Sequence, residues 1–270
     1  MITRRLFMSG VAASAIALYA KKIKNIGLQL YTVRTALRSD FEGTIAKIAE
    51  FGYSEVEFAG YYNRTPEQIR TVLQNNRLTS PAAHIPLDDL RRDPAKAIET
   101  ARAIGHRYII CPWLDPKDRK SIVDYHSHAQ FFNEFGTSCQ RSGIQFGYHN
   151  HDFEFTRMGD DLPYDVLLKE TDPKLVKMEL DLYWITRGGQ DPLKYLSSHK
   201  GRFEMVHVKD LARSSDQAAV EVGRGSLDFK TLLASSEKAG VKHFFVEQDE
   251  PKTPLESIKI SIDYLKQLEY

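Results

Sequence analysis

Ile144-Gln145-Phe146-Gly147-Tyr148-His149-Asn150-His151-Asp152 is a short β-rich run that breaks off in a cluster of polar, ion-binding residue types. Three later runs behave alike: Val176 to Asp181 closes on Asp181, Phe203 to Val208 carries His207, and His243 to Glu247 closes on Glu247. Upstream lie four more β-rich runs, Asn25 to Tyr31, Glu55 to Phe58, Ser80 to Ile85 and Tyr108 to Cys111. Between the runs are helix start and stop signals. Thr65-Pro66-Glu67-Gln68 offers a cap, a proline at the first helical position and a capping-box glutamine. Asp93-Pro94, Asp115-Pro116 and Asp191-Pro192 repeat the cap-plus-proline device, and Gly105 and Gly240 stand where helices should stop. Leu255, Ile258, Ile262 and Leu265, at spacings of three and four, line one face of a last helix. Strict β/α alternation implies parallel strands with right-handed crossovers, and eight units in about 245 residues predict a closed (β/α)8 TIM barrel. An open doubly wound sheet is disfavoured because no glycine-rich G-x-G-x-x-G turn follows the first strand.

The chain has 270 residues, 42% hydrophobic and 27% charged, enough to bury one large core as a single domain. Lys and Arg total 37 against 36 Asp and Glu, so no basic excess exists to hold a phosphate backbone, and nucleic acid is not an expected partner. Cys111 and Cys139 are too few for a disulfide framework and are expected as free buried thiols. Met1-Ile2-Thr3-Arg4-Arg5-Leu6-Phe7, then the small apolar run Val11 to Ala20 and Lys21-Lys22, has the architecture of a signal peptide and resembles the twin-arginine export signal. Residues 1–22 are therefore read as a leader and 23–270 as the barrel, with a periplasmic location. The apolar run is too short for a span of ~20 residues, so no stable membrane insertion is expected. Nothing in the sequence opposes a homo-oligomer.

Barrel active sites form where strands end. A lone histidine in an apolar strand is usually a satisfied core residue and a strand-end aspartate is often a helix cap. Four in succession are another matter, because ionisable groups inside an apolar barrel are costly unless they pair or bind an ion. His149, Asp181, His207 and Glu247 are the candidate ligands of one divalent metal. Two imidazoles with two carboxylates suit a borderline ion better than all-oxygen magnesium or calcium, so manganese is the first expectation, with cobalt, iron, zinc or magnesium as alternatives.

With Glu-Leu-Asp-Leu around Asp181, Val-His-Val-Lys-Asp around His207, Phe-Val-Glu at Glu247 and the segment Val222-Gly223-Arg224-Gly225-Ser226-Leu227-Asp228-Phe229, taken as a hairpin, the chain resembles the xylose isomerase-like barrels of the sugar phosphate isomerase/epimerase superfamily. That resemblance implies a metal-dependent sugar isomerase or epimerase working through an enediolate. It also implies Glu, Asp, His and Glu from strands five to eight as ligands. Here His149-Asn150-His151 stands where many members read Glu-Asn-His. Symmetrical epimerase chemistry uses the two glutamates as matched acid-base groups, so the substitution gives weight to an alternative: a lyase or hydratase eliminating from a 3-keto sugar, keto-glycoside or inosose. A non-catalytic sugar-binding barrel is a lesser reading. Glu247, His151 and Lys209 are the expected catalytic residues. Glu57, His84, Glu154, Trp184 and Arg224 are expected around the substrate, an unphosphorylated saccharide. The superfamily's DNA-repair endonucleases need further histidines that this chain lacks, one of them where Trp184 stands.

Overall fold

The computed structural model describes residues 21–270; the leader and its twin arginines, apart from Lys21 and Lys22, lie outside the described residues. Eight strands, β1 (Gly27–Gln29), β2 (Glu55–Ala59), β3 (Thr79–His84), β4 (Tyr108–Cys111), β5 (Gln145–His149), β6 (Val176–Asp181), β7 (Phe203–Val208) and β8 (His243–Val246), close into one all-parallel barrel. All eight sequence runs are strands, trimmed by one or two residues at several ends.

The helices start and stop where the local chemistry dictates. Thr65 and Gln68 form a reciprocal capping box at the start of the helix Pro66–Asn75, and Asp93 caps Pro94–Ile104 by accepting from the Lys96 N–H. Gly105 and Gly240 end their helices in left-handed geometry, with φ of 104° and 103°. Asp115-Pro116 differs from expectation. It starts only the three-residue 3-10 turn Pro116–Asp118, and the long helix Ile122–Arg141 begins from its own box at Ser121 and Asp124.

Alternation along each strand divides the core in two. Leu28, Val56, Phe58, Ile109, Phe146, Met178, Leu180, Val206 and Val246 join the helices in the large outer core. Ala82, Tyr108, Ile110, Met205 and Phe245 form a separate small cluster of the opposite parity, the apolar filling of the barrel lumen. Gly27 is small for a reason: a Cβ there would come within 2.4 Å of the Phe245 ring. Above this filling, the same parity puts Gln29, Glu57, His84, His149, Glu179, Asp181, His207 and Glu247 at the C-terminal mouth.

One expected element is corrected. Residues 222–229 do not form a hairpin; the antiparallel ribbon is Asp210–Leu211 with Ala219–Val220. The glycine-rich segment instead folds around Asp210, whose carboxylate accepts from the N–H groups of Gly223, Gly225 and Leu227 at 2.9, 2.8 and 3.2 Å. A buried carboxylate with that many backbone donors outcompetes strand pairing for the segment. Cys111 and Cys139 are free and buried.

Candidate metal centre and active site

The ends of β5 to β8 bring His149, Asp181, His207 and Glu247 together, all buried, each offering an atom within 4.8 Å of the others. His149 Nε2 is 3.9 Å and His207 Nδ1 3.8 Å from Asp181 Oδ2, while His207 Nδ1 is 2.9 Å from Glu247 Oε2. A second set, His84, His149, Glu179 and His207, lies beneath and shares both imidazoles. His84 Nε2 bonds Glu179 Oε2 at 2.7 Å, and His207 Nε2 bonds Glu57 Oε2 at 2.8 Å. Gln29 Nε2 donates to the same Glu57 oxygen at 2.7 Å.

Both sets hold buried atoms without a hydrogen bond: Asp181 Oδ2 in the outer set, whose nearest cation is Lys209 Nζ at 3.1 Å, and Glu179 Oε1 and His149 Nδ1 in the lower. Asp181 Oδ1 accepts from the Tyr183 and Trp184 N–H groups at 2.8 Å. The outer set carries two strand-end carboxylates and opens onto the mouth cavity through His149 and Glu247. It could hold an ion, and Glu57 and Glu179 would then orient its imidazoles from behind. The donor types, two nitrogens and two carboxylates, match a borderline divalent ion.

Protonation follows the same division. Burial and the neighbouring His207 push His149 down to about 3, so its imidazole is neutral and fit to ligate. Burial lifts Asp181 to about 6, with Lys209 and His207 working against it. Burial opposes charge on His207 too, but the carboxylates of Glu179 and Glu247 outweigh it and hold the ring well above its ordinary value. A divalent ion bound in the outer set would supply the positive charge that this proton now gives to the carboxylates.

Lys209 is fully buried, with Nζ 2.6 Å from Glu247 Oε2, 2.9 Å from Asp249 Oδ2 and 3.1 Å from Asp181 Oδ2. Burial favours the neutral amine, yet these three carboxylates raise it well above the ordinary lysine value. The ammonium in turn splits the two carboxylates of the β8 end. Burial raises Glu247, but Lys209 and His207 overcome it and hold the carboxyl far below its usual range. Asp249 stays raised, because burial and the charge on Glu247 exceed the pull of Lys209.

The mouth holds a cavity of about 580 Å³. His84, His149, His151, Glu247 and Asp249 meet at its inner end; Tyr31, Ala59, Gly60, Pro86, Asp89, Pro112 and Trp113 form the remainder. His151 is neutral, driven well below its usual value by burial and by His149, and its Nδ1 has no partner.

Several residues suggested by sequence stand away from this cavity. Glu154 is wholly buried and braces the β5 loop: Tyr148 OH donates to it at 2.5 Å and the His151 N–H at 2.9 Å, and burial raises it to about 7. Glu57 lies in the floor, holding His207. Trp184 packs beside His151, ring centroids 5.2 Å apart, with the Lys209 ammonium 5.2 Å from its ring. Arg224 is 60% exposed and pairs with Glu221. Glu179, Asp249, Tyr31 and Trp113 were not singled out by sequence reasoning. Period-two spacing from Asp181 and Glu247 marks the first two; nothing in the sequence marks the aromatic pair.

Comparison with known proteins fits this architecture. Residues 45–268 match the family described as xylose isomerase-like TIM barrel. The chain belongs to that family. Within it, the chain is 26% identical over 213 residues to an inosose dehydratase of Geobacillus kaustophilus, covering 70% of this chain and 67% of the relative. A second inosose dehydratase, from Geobacillus thermodenitrificans, is 28% identical over 155 residues, so the chain spans only 51% of that relative's length. A sugar phosphate isomerase/epimerase from Parabacteroides distasonis superposes with a TM-score of 0.80 at 26% identity, covering 90% of this chain and 98% of that one. The chain is thus an enzyme of the xylose isomerase-like family, with a buried histidine and carboxylate cluster able to hold a metal ion. Among the described residues no helix is long and apolar enough to cross a membrane.

Proposed function

We propose that the protein is a metal-dependent lyase that eliminates water or an alcohol from an unphosphorylated keto-sugar or cyclic keto-polyol. The observation that carries this reading is the Glu247–Lys209–Asp249 bridge, in which one buried ammonium holds two cavity-lining carboxyls, Glu247 lowered and Asp249 raised from their ordinary values. A pair of titratable groups split by their surroundings is the arrangement an acid-base division of labour requires. Glu247, ionised, takes the proton from the carbon beside the substrate carbonyl. The electron pair passes through the enediolate to form the C=C bond as the β C–O bond breaks. Asp249, the carboxyl raised above its ordinary value, is assigned as the acid that gives a proton to the departing oxygen. Lys209 holds both carboxyls in place and keeps Glu247 ionised.

A divalent ion, manganese as the first expectation, would be held by His149, Asp181, His207 and Glu247 and would polarise the carbonyl, lowering the cost of the negative charge. His151 and His84 stand at the inner end to bond hydroxyls. Asp89, Glu247 and Asp249 line the cavity with no lysine or arginine among the lining residues, which supports a neutral ligand over a phosphate ester. The inosose dehydratase relatives support elimination; the structural similarity to an isomerase/epimerase supports the second reading, proton return to the same carbon.

The test is to incubate enzyme and Mn²⁺ with an inosose in D₂O and follow the product by absorbance and NMR. Elimination predicts an unsaturated or diketone product. Asp249→Asn should lose C–O cleavage yet keep α-proton exchange, and Glu247→Gln should lose both. An epimer or aldose-ketose pair, formed without loss of water, would replace this reading by the isomerase one.

A further inference from the structure

We propose that the outer part of the mouth cavity is a subsite for an aromatic aglycone, so that the substrate is a keto-sugar joined to an aromatic ring rather than a free polyol. The inference rests on the elimination reading and names its leaving group.

The cavity lining is divided by burial. Its ionisable groups His84, His149, His151, Glu247 and Asp249 are buried or half-buried, whereas Tyr31, Gly60, Pro86 and Trp113 are exposed and, with Ala59 and Pro112, leave Asp89 as the one charged side chain of the remainder. About 580 Å³ falls within the ~300–1,000 Å³ of sites that enclose ligands of drug size, more than one six-membered polyol ring needs. The Tyr31 hydroxyl and Asp89 are the only polar side-chain groups in this part of the lining, so a flat aromatic ring matches it better than a second sugar with its many hydroxyls.

Among the described residues three large hydrophobic side chains are exposed, and two of them, Tyr31 and Trp113 at 40% each, stand on this cavity. Each ring has an arginine near it. The Arg34 guanidinium lies 4.0 Å from the Tyr31 ring centroid and is itself fixed by the Tyr31 and Asp249 carbonyls at 2.9 and 2.7 Å. Arg119 stacks on Phe153 at 3.5 Å, lies 5.8 Å from the Trp113 ring and donates to the Leu114 carbonyl at 2.9 Å. Exposed aromatic rings that line a cavity among fixed neighbours offer stacking platforms. Arg34 also ties the Tyr31 platform to Asp249, the group placed to protonate the leaving oxygen.

In the resulting step, the sugar carries its carbonyl at C3. The C2–H bond breaks to Glu247, C1=C2 forms, the C1–O bond breaks, and the aromatic alcohol leaves with the Asp249 proton. The sugar arrives already oxidised, so an alcohol oxidation at C3 must precede this enzyme.

Trp113 and Trp184 are the two tryptophans of the chain, so Trp184→Phe leaves Trp113 as sole reporter. Phenyl β-glucoside, which cannot eliminate, should quench and saturate that fluorescence, while methyl β-glucoside and a glucosyl-glucoside should not. With Mn²⁺, the kcat/KM for phenyl 3-keto-glucoside should exceed that for the methyl compound at least tenfold. Trp113→Ala and Tyr31→Ala should erase that preference, lowering kcat/KM for the phenyl compound at least tenfold more than for the methyl compound. Equal quenching by all three glucosides, a preference for the disaccharide, or equal losses on both keto-glucosides in the variants would overturn the subsite. If an inosose is dehydrated but no keto-glycoside is cleaved, the aglycone subsite is overturned while the elimination reading stands; if neither reacts, the elimination reading fails, and the fluorescence titration alone decides whether an aromatic ring binds here.

Discussion

Glu179 Oε2 lies 2.7 Å from His84 Nε2, and the same oxygen is within 3.4 Å of one ring nitrogen of His149 and one of His207. One buried carboxylate thus sits beneath both imidazoles of the candidate metal set. Burial alone would raise it, but His207 and its hydrogen bonds from His149, His207 and His84 hold it far below its usual range. The role we propose for it is positional: it would fix which nitrogen of each ring faces a bound ion. Glu179→Gln, with the fold checked by circular dichroism, should weaken Mn²⁺ binding about 10- to 100-fold in a chelator competition. Turnover at saturating metal should recover to within a few-fold of wild type. Unchanged affinity would reduce Glu179 to a space-filling ion partner.

The limits of sequence reading are visible around this residue. Parity along β6 puts Glu179 on the lumen side with Asp181, and that much follows from a period of two. What sequence could not give is the register between strands, which sets Asp181 beside His207 and Glu179 beside Met205. Register decides that Glu57 rises under His207 as part of the floor instead of meeting a sugar hydroxyl. Loop residues are harder still. Glu154 turns inward because Tyr148 and the His151 N–H receive it, and Tyr31 and Trp113, which follow strands one and four, come to line one cavity only once the barrel is closed.

The Asp210 cradle makes Gly225 irreplaceable. A Cβ there would fall 2.2 Å from Asp210 Oδ1 and 2.4 Å from the Leu211 carbonyl oxygen, both fixed by the ribbon that follows Lys209. Gly225→Ala should cost about 2 kcal/mol or more. In a chain of this size that lowers Tm by roughly 4 °C or more. Because the ribbon continues directly from Lys209, kcat should fall as well. A variant with wild-type Tm would show that the segment can move aside without cost.

Export is testable independently of the barrel. Arg4 and Arg5 precede a short apolar run, and twin-arginine leaders depend on that pair. Replacing both with Lys keeps the charge and should trap precursor inside the cell, measured by fractionation and immunoblot. Unimpaired export would remove the twin-arginine reading.

His106 sets an acid limit on stability away from the active site. It is 3% exposed at the foot of β4, between the Phe58 and Tyr61 rings, and bonds the Ser80 carbonyl through Nδ1 at 2.8 Å. Burial pushes it from 6.5 down to about 4, the Ser80 bond opposing only in part. Above pH ~6.5 neither the folded nor the unfolded chain protonates it, so its full contribution is present there. Between pH ~6.5 and ~4 only the unfolded chain takes up the proton, and stability falls with pH by up to about 3 kcal/mol. His106→Asn keeps a side-chain donor for Ser80 but cannot titrate. Urea midpoints measured from pH 7.5 to 4.5 should therefore fall more steeply in wild type than in the variant, and parallel curves would show that His106 is protonated without penalty.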